Sequence, residues 1–260
     1  MTWLEALLLG ILQGLTEFLP VSSSGHLEIG KVVLNIEAQE SMSFTIIVHA
    51  ATVLSIIIVF FSDIRELVTG VFKFEWNEST EYSAKIFVSM IPIGIVGIFF
   101  RSEVESFYNG NVVFIGGMLL ITASLLMLTH LAKSQNKDVN YLDAFIIGIA
   151  QAAAVLPGIS RSGATIATGL ILGVKKELVT RFSFLMVLIP IIGGTLIDLL
   201  NTKDPDEIVI GFFPLFIGFV ASFASGLFAC KIMLNVVRKG KLIYFAIYCI
   251  LAASIAIFLG

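Results

Sequence analysis

Charge is what this chain has least of. Of its 260 residues only 13% are Asp, Glu, Lys or Arg, while 57% are hydrophobic, whereas a soluble domain carries roughly 25% charge. With a mean hydropathy of +0.99, that shortage excludes a soluble domain and marks a polytopic membrane protein. The net charge of −3 says little here, because the sidedness of Lys and Arg matters more than their sum, and nothing in the sequence supports a nucleic-acid partner. Cysteine is nearly absent too. Cys230 and Cys249 lie in apolar helical stretches, are too few for a disulfide framework and read as small packing residues. Missing as well is a basic leader before Trp3-Leu4-Glu5, so no cleavable signal is expected and the apolar segments themselves direct insertion.

What is present is apolar sequence in lengths that cross a bilayer, which takes about 20 residues. Such runs fall near residues 42–61, 84–100, 112–131, 178–200, 208–231 and 242–259. Two further stretches, 3–34 and 141–173, are broken midway by Pro, Gly and Ser. Each reads as a helix, a loop and a second short helix. Irregular backbone at membrane depth must be covered by protein or line a wet cavity, so both are expected to dip into the membrane and return. The fold class is therefore all-α: six transmembrane helices plus two re-entrant helix-loop-helix segments.

The two broken stretches are one pattern used twice. Gly10, Ile11, Gln13, Ser22, Ser24 and Gly25 recur 138 residues later as Gly148, Ile149, Gln151, Ser160, Ser162 and Gly163; Glu5 is answered by Asp143 and Phe44 by Phe182. Three spans separate the copies, and an odd number puts them on opposite sides. The chain is thus expected to be a single membrane domain, 1–260, built from inverted-topology repeats of about 1–131 and 138–260. If the re-entrant pairs do not cross, Lys31, Arg101 and Lys203 share one side, and Arg65, Lys73, Lys133, Lys137, Lys175, Lys176, Arg238, Lys239 and Lys241 the other. The positive-inside bias makes the second side cytoplasmic and puts both termini outside. Broken helices of inverted repeats meet near the midplane, where such proteins keep their sites.

Polar groups in hydrocarbon are costly and persist where they function. The first copy holds Gln13 and Glu17 one turn apart on a helix face, followed by Ser22, Ser23, Ser24 and His26: a base, hydroxyl nucleophiles and a metal ligand within fourteen residues. The second holds Ser160, Arg161, Ser162 and Thr165 around Gly163, where a short helix begins. Amide groups at a helix N-terminus, glycines that allow close approach, hydroxyls and a guanidinium describe an oxyanion site, with phosphate the leading candidate. Packing alone also explains Ser- and Gly-rich breaks, and either Gln can cap or bridge helices. His49 and Thr52 are expected to pack within the first span. His130 and Asp198 are expected at the interface, and Glu28 to join a metal site or face solvent.

The segments Gln13-Gly14-Leu15-Thr16-Glu17-Phe18-Leu19-Pro20-Val21-Ser22-Ser23-Ser24-Gly25-His26 and Pro157-Gly158-Ile159-Ser160-Arg161-Ser162-Gly163-Ala164-Thr165 closely resemble the two signatures of the undecaprenyl-diphosphate phosphatase, or bacitracin-resistance, family. Length and span pattern agree along nearly the whole chain. The resemblance implies a bacterial plasma-membrane enzyme that hydrolyses undecaprenyl diphosphate to recycle the cell-wall lipid carrier, its site facing the extracytoplasmic side. It implies catalytic roles for Glu17, His26 and Ser23, with Gln13 at an accepted Glu/Gln position. It further implies phosphate contacts from Arg161, Ser160, Ser162 and Thr165, with Ser22, Ser24 and Gly163 beside them. A divalent cation, Mg²⁺ or Ca²⁺, is implied too, and with Gln13 in place of an acid it would rest on Glu17 and the substrate. Membrane lipids, bacitracin acting indirectly by binding the substrate, and a possible second copy as a homodimer complete the implied partners. The nucleophile stays open among His26, Ser23 and a water held by Glu17, with covalent attack by His26 or Ser23 favoured. An alternating-access transporter or polyprenyl-phosphate flippase is the alternative, since the same architecture serves both.

Overall fold

The computed structural model describes residues 1–36, 38–132, 137–201 and 210–259, and twelve helices with no β-strand among them. The first broken stretch is α1 (Trp3–Phe18) and α2 (Ser23–Leu34); the second is α8 (Tyr141–Ala153) and α9 (Arg161–Ile171). Between them run α3 (Ala38–Val59), α4 (Phe61–Val71), α5 (Glu78–Phe99), α6 (Arg101–Ser106) and α7 (Val112–Leu128); α10 (Lys176–Asn201), α11 (Phe212–Arg238) and α12 (Ile243–Leu259) follow. Each of the six expected spans is thus a helix. Three of them, α5, α10 and α11, are individually long and apolar enough to cross a membrane. α7 and α12 are shorter, at 17 residues or about 25 Å, and pack along one another.

The first span departs from expectation. α3 ends at Val59 and the chain bends by 77° into α4, whose Asp63, Arg65 and Glu66 suit an amphipathic helix on the interface rather than continued crossing. Asp63 and Glu66 pair there with Arg181 of α10. The short α6 likewise has no counterpart among the expected elements. The expectations for Lys133, Lys203 and the Asp198 side chain lie outside the described residues.

The helix boundaries show how deep the duplication runs. α1 opens with a capping box in which Thr2 and Glu5 satisfy each other's backbone amides, and α8 opens with the same device from Asn140 and Asp143. α1 packs along α11 and α8 along α5. At both crossings a glycine is pressed on the facing backbone: a Cβ at Gly10 would collide with the Gly218 carbonyl oxygen, and one at Gly148 with that of Ser89. Small residues let membrane helices approach this closely. The outer faces of α5, α11 and α12 expose Phe87, Ile98, Phe228 and Phe258, as a lipid-facing surface requires. The largest buried cluster joins Phe18, Phe60 and Phe184, whose rings lie 5.6–6.0 Å apart in two tilted pairs. It forms the apolar wall next to Glu17.

Candidate active site

The loops that break the two stretches meet. Pro20 has no amide hydrogen to continue α1, and α1 closes with Leu19 in extended conformation. Gly158 holds φ +101, and a Cβ there would lie 2.6 Å from the Ile115 carbonyl oxygen, so only glycine fits. Ser22 Oγ accepts the amides of Gly25 and Gly158, both at 3.2 Å, which caps α2 and ties the first loop to the second. Ser160 Oγ accepts the Gly163 amide at 3.1 Å and caps α9. Thr122 of α7 clasps the second loop from outside, donating to the Gly158 carbonyl and accepting the Ser160 amide, each at 2.9 Å. Ser162 Oγ donates to the Leu19 carbonyl at 3.4 Å. Two helix N-termini, each partially positive, are thereby set at one small cavity.

Glu17, Ser22, Ser23, Ser24, Tyr108, Ser160 and Arg161 line that cavity, whose volume is about 20 Å³. Glu17 is the anchor, its side chain 7% exposed. Its Oε2 accepts Gln13 Nε2 at 2.9 Å and Ser23 Oγ at 2.5 Å. A serine hydroxyl at that distance from a buried carboxylate is poised to lose its proton. Arg161, the first residue of α9, lines this cavity and two more that border it. No ion pair within 4 Å engages its guanidinium among the described residues, which leaves the fork open to an anion.

The other expected site residues divide. Ser162 and Thr165 line a second cavity behind Glu17 and Arg161, and Thr165 Oγ1 spends its donor on carbonyls of its own helix. Gly163 contributes packing room rather than a contact: a Cβ there would sit 3.0 Å from Ser160 and 3.3 Å from Pro20. His26 is turned toward α12. Its Nδ1 lies 2.8 Å from the Ser22 carbonyl, which can only accept, so Nδ1 carries the hydrogen and Nε2 is left to accept the Tyr248 hydroxyl, also at 2.8 Å. Tyr248 also stacks on the ring. Glu28 is paired with Lys31 on its own helix at 2.8 Å.

Several site residues carry no sequence signal strong enough to single them out. His49, expected to pack, brings Nε2 to 3.8 Å from Glu17 Oε2 while Nδ1 donates to the Thr45 carbonyl. Tyr108, after α6, donates to the Val155 carbonyl at 2.9 Å and walls the first cavity. Only the polar character of His49 within an apolar span hints at a role; Tyr108, Tyr248 and Thr122 are ordinary residues until the chain folds.

No group of three or more His, Cys, Asp or Glu side chains able to hold a metal occurs among the described residues. What the site holds is one carboxylate, Glu17, and the Gln13 amide oxygen, fully buried and without a hydrogen-bond partner among the described residues. That donor set fits a hard divalent ion shared with a substrate's phosphate oxygens, not one caged by protein alone.

A family model described as bacitracin resistance protein BacA matches residues 6–255. Proteins named undecaprenyl-diphosphatase are similar over nearly their whole length. One from Bacteroides fragilis is 52% identical across 99% of this chain and 98% of its own. One from Salinibacter ruber is 40% identical across 100% of both, and one from Methanococcus vannielii 43% identical across 98% of this chain and 99% of its own.

Proposed function

This chain belongs to the bacitracin resistance protein BacA family, and on that premise we propose how its site works. The protein is a multi-pass membrane enzyme, an undecaprenyl-diphosphate phosphatase that releases inorganic phosphate and leaves undecaprenyl phosphate. The observation that carries the chemistry is the 2.5 Å bond from Ser23 Oγ to Glu17 Oε2 in a cavity shared with Arg161. Glu17 takes the hydroxyl proton as Ser23 Oγ attacks the terminal phosphorus, and the anhydride P–O bond breaks with its electrons passing to undecaprenyl phosphate. The proton follows onto that product, which restores the carboxylate. Water then attacks the phosphoserine, giving a proton to Glu17; the Ser23 P–O bond breaks and Oγ recovers that proton. Arg161 and the N-termini of α2 and α9 offset the charge that shifts through both steps.

His26, with Nδ1 and Nε2 both engaged, holds the Ser22 loop against α12 rather than attacking. A divalent cation, Mg²⁺ or Ca²⁺, would be held by Glu17 and the Gln13 amide oxygen together with the substrate, and would supply further neutralisation of the diphosphate. The repeats are inverted in the bacterial plasma membrane, and the site opens to the extracytoplasmic side, where the spent carrier arises. Bacitracin acts on the reaction by binding the substrate, and no step calls on a second copy of the chain. The transporter alternative draws no support from the relatives' names.

Phosphate release from undecaprenyl diphosphate by the purified protein in detergent tests this reading. The parent releases phosphate; Glu17→Ala, Ser23→Ala and Arg161→Ala do not, while all remain folded. Undiminished release by Ser23→Ala would move the attack to a water held by Glu17. A folded parent that binds the lipid and releases nothing would overturn the phosphatase itself.

A further inference from the structure

Hydroxyls inside the helices of this protein follow a habit. Thr16, Ser55, Thr180, Ser225 and Ser254 each donate to the carbonyl four residues back on their own helix, the usual refuge for a hydroxyl that cannot reach water. Ser183 of α10 breaks the habit. It is 2% exposed, and its Oγ has no hydrogen-bond partner among the described residues. A buried hydroxyl left unsatisfied is costly, so the position calls for a reason. Ser183 lines the second cavity, the one behind the site, and shares it with Glu17, Arg161, Ser162 and Thr165.

That cavity measures about 10 Å³, close to the roughly 10–15 Å³ that admits a single water. Its apolar walls, including Phe18, Ile56 and Phe184, leave such a water only the polar edge formed by these side chains. A buried water needs two to four polar partners. Here the Ser183 hydroxyl, a Glu17 carboxylate oxygen and the Arg161 guanidinium offer them. Every hydrogen bond that Glu17 receives from a described side chain lands on Oε2, which leaves Oε1 to take the water.

We infer that Ser183 and Glu17 share one buried water in this cavity, and that Ser183 is a positioning residue that fixes the Glu17 carboxylate through it. This rests on the proposed role of Glu17 as the base for Ser23. The water spans α10 of the second half and α1 of the first, and holds the carboxylate from behind while Ser23 and the substrate meet it in front. Without it the carboxylate keeps its bonds to Gln13 and Ser23 but gains freedom to rotate away from the attack geometry.

Thr and Val differ by one hydroxyl at the same shape, so the pair Ser183→Thr and Ser183→Val separates hydrogen bonding from packing. With undecaprenyl diphosphate, Ser183→Val lowers kcat about tenfold with KM held within about twofold, while Ser183→Thr stays near the parent. Equal rates in Thr and Val, or a loss confined to KM, overturn the inference while leaving the phosphatase standing. A high-resolution crystal structure provides a second readout that does not depend on turnover. Density for one water within hydrogen-bond reach of Ser183 Oγ and Glu17 in the parent, lost in Ser183→Val, supports the inference even if no lipid diphosphate is hydrolysed; a dry cavity in the parent ends it.

Discussion

In the first copy of the repeat Ser22 caps α2 on the Gly25 amide; in the second Ser160 caps α9 on that of Gly163. The capping boxes, the buried Gln13 and Gln151, and the pressed Gly10 and Gly148 are likewise paired. Among the positions where the copies diverge are those whose side chains handle charge or proton transfer. Glu17 stands opposite Val155, Ser23 opposite Arg161, His26 opposite Ala164 and His49 opposite Val187. The residues that repeat hold the backbone; under the mechanism proposed above, Glu17, Ser23 and Arg161, which do not repeat, perform the chemistry. Each copy keeps the same scaffold; in that mechanism the first half carries base and nucleophile, and the second carries the anion clamp.

Exchanging the divergent residues for their counterparts breaks the comparison at its strongest point. Glu17→Val and Arg161→Ser each lower kcat/KM by about 10³ or more, the scale of losing a base or a preorganised charge, as read by phosphate release. Both variants keep the parent's melting temperature within a few degrees, because neither residue is part of the shared scaffold. The opposite pattern belongs to the glycines that repeat. Gly10→Ala and Gly148→Ala force a methyl against a facing carbonyl and cost about 1–3 kcal/mol of stability each, visible as lowered thermal unfolding in detergent for both copies alike.

Much of this is legible in the sequence, and for a physical reason. Six spans, both broken stretches and their offset follow from apolar run length and from Pro, Gly and Ser, which act locally. α4 escapes such a reading because its eleven residues carry Asp63, Arg65 and Glu66 and belong to no apolar run. Glu17, Ser23 and Arg161 are legible as charged or hydroxylic groups out of place in hydrocarbon. His49, Tyr108 and Tyr248 acquire their partners, and Ser183 its place at a cavity, only through contacts between distant elements, which no spacing records. The serine loops read as phosphate ligands, and in the fold Ser22 and Ser160 line the cavity and also cap helices there.

A smaller effect sharpens the comparison at His49. Its Nδ1 is fixed on the Thr45 carbonyl, which aims Nε2 at Glu17. His49→Val, the counterpart residue, removes that contact and lowers kcat about tenfold, or about 1.4 kcal/mol. His49→Gln, which keeps a donor in reach, recovers much of the rate in the same assay. Equal losses in Val and Gln would return His49 to a packing role.

The smallest effect lies within the scaffold itself, where the two caps are alike in sequence but not in strain. Ser160 sits at φ −75 and its Oγ accepts one amide, whereas Ser22 sits at φ 69 and its Oγ accepts two, one from each copy. Ser160→Ala therefore costs about 1 kcal/mol, as an N-cap does. Ser22→Ala costs about 1 kcal/mol more, because it strands the Gly158 amide as well. Ser22→Gly loses the same hydroxyl yet relieves the left-handed backbone, so it falls between the two. Thermal unfolding of the three variants in one detergent gives the order Ser160→Ala, Ser22→Gly, Ser22→Ala from mildest to most severe. If Ser22→Ala proved no worse than Ser160→Ala, the bond from Ser22 to Gly158 would contribute nothing, and among the described residues the hydrogen bond that joins the two loops would be that of Ser162 to Leu19.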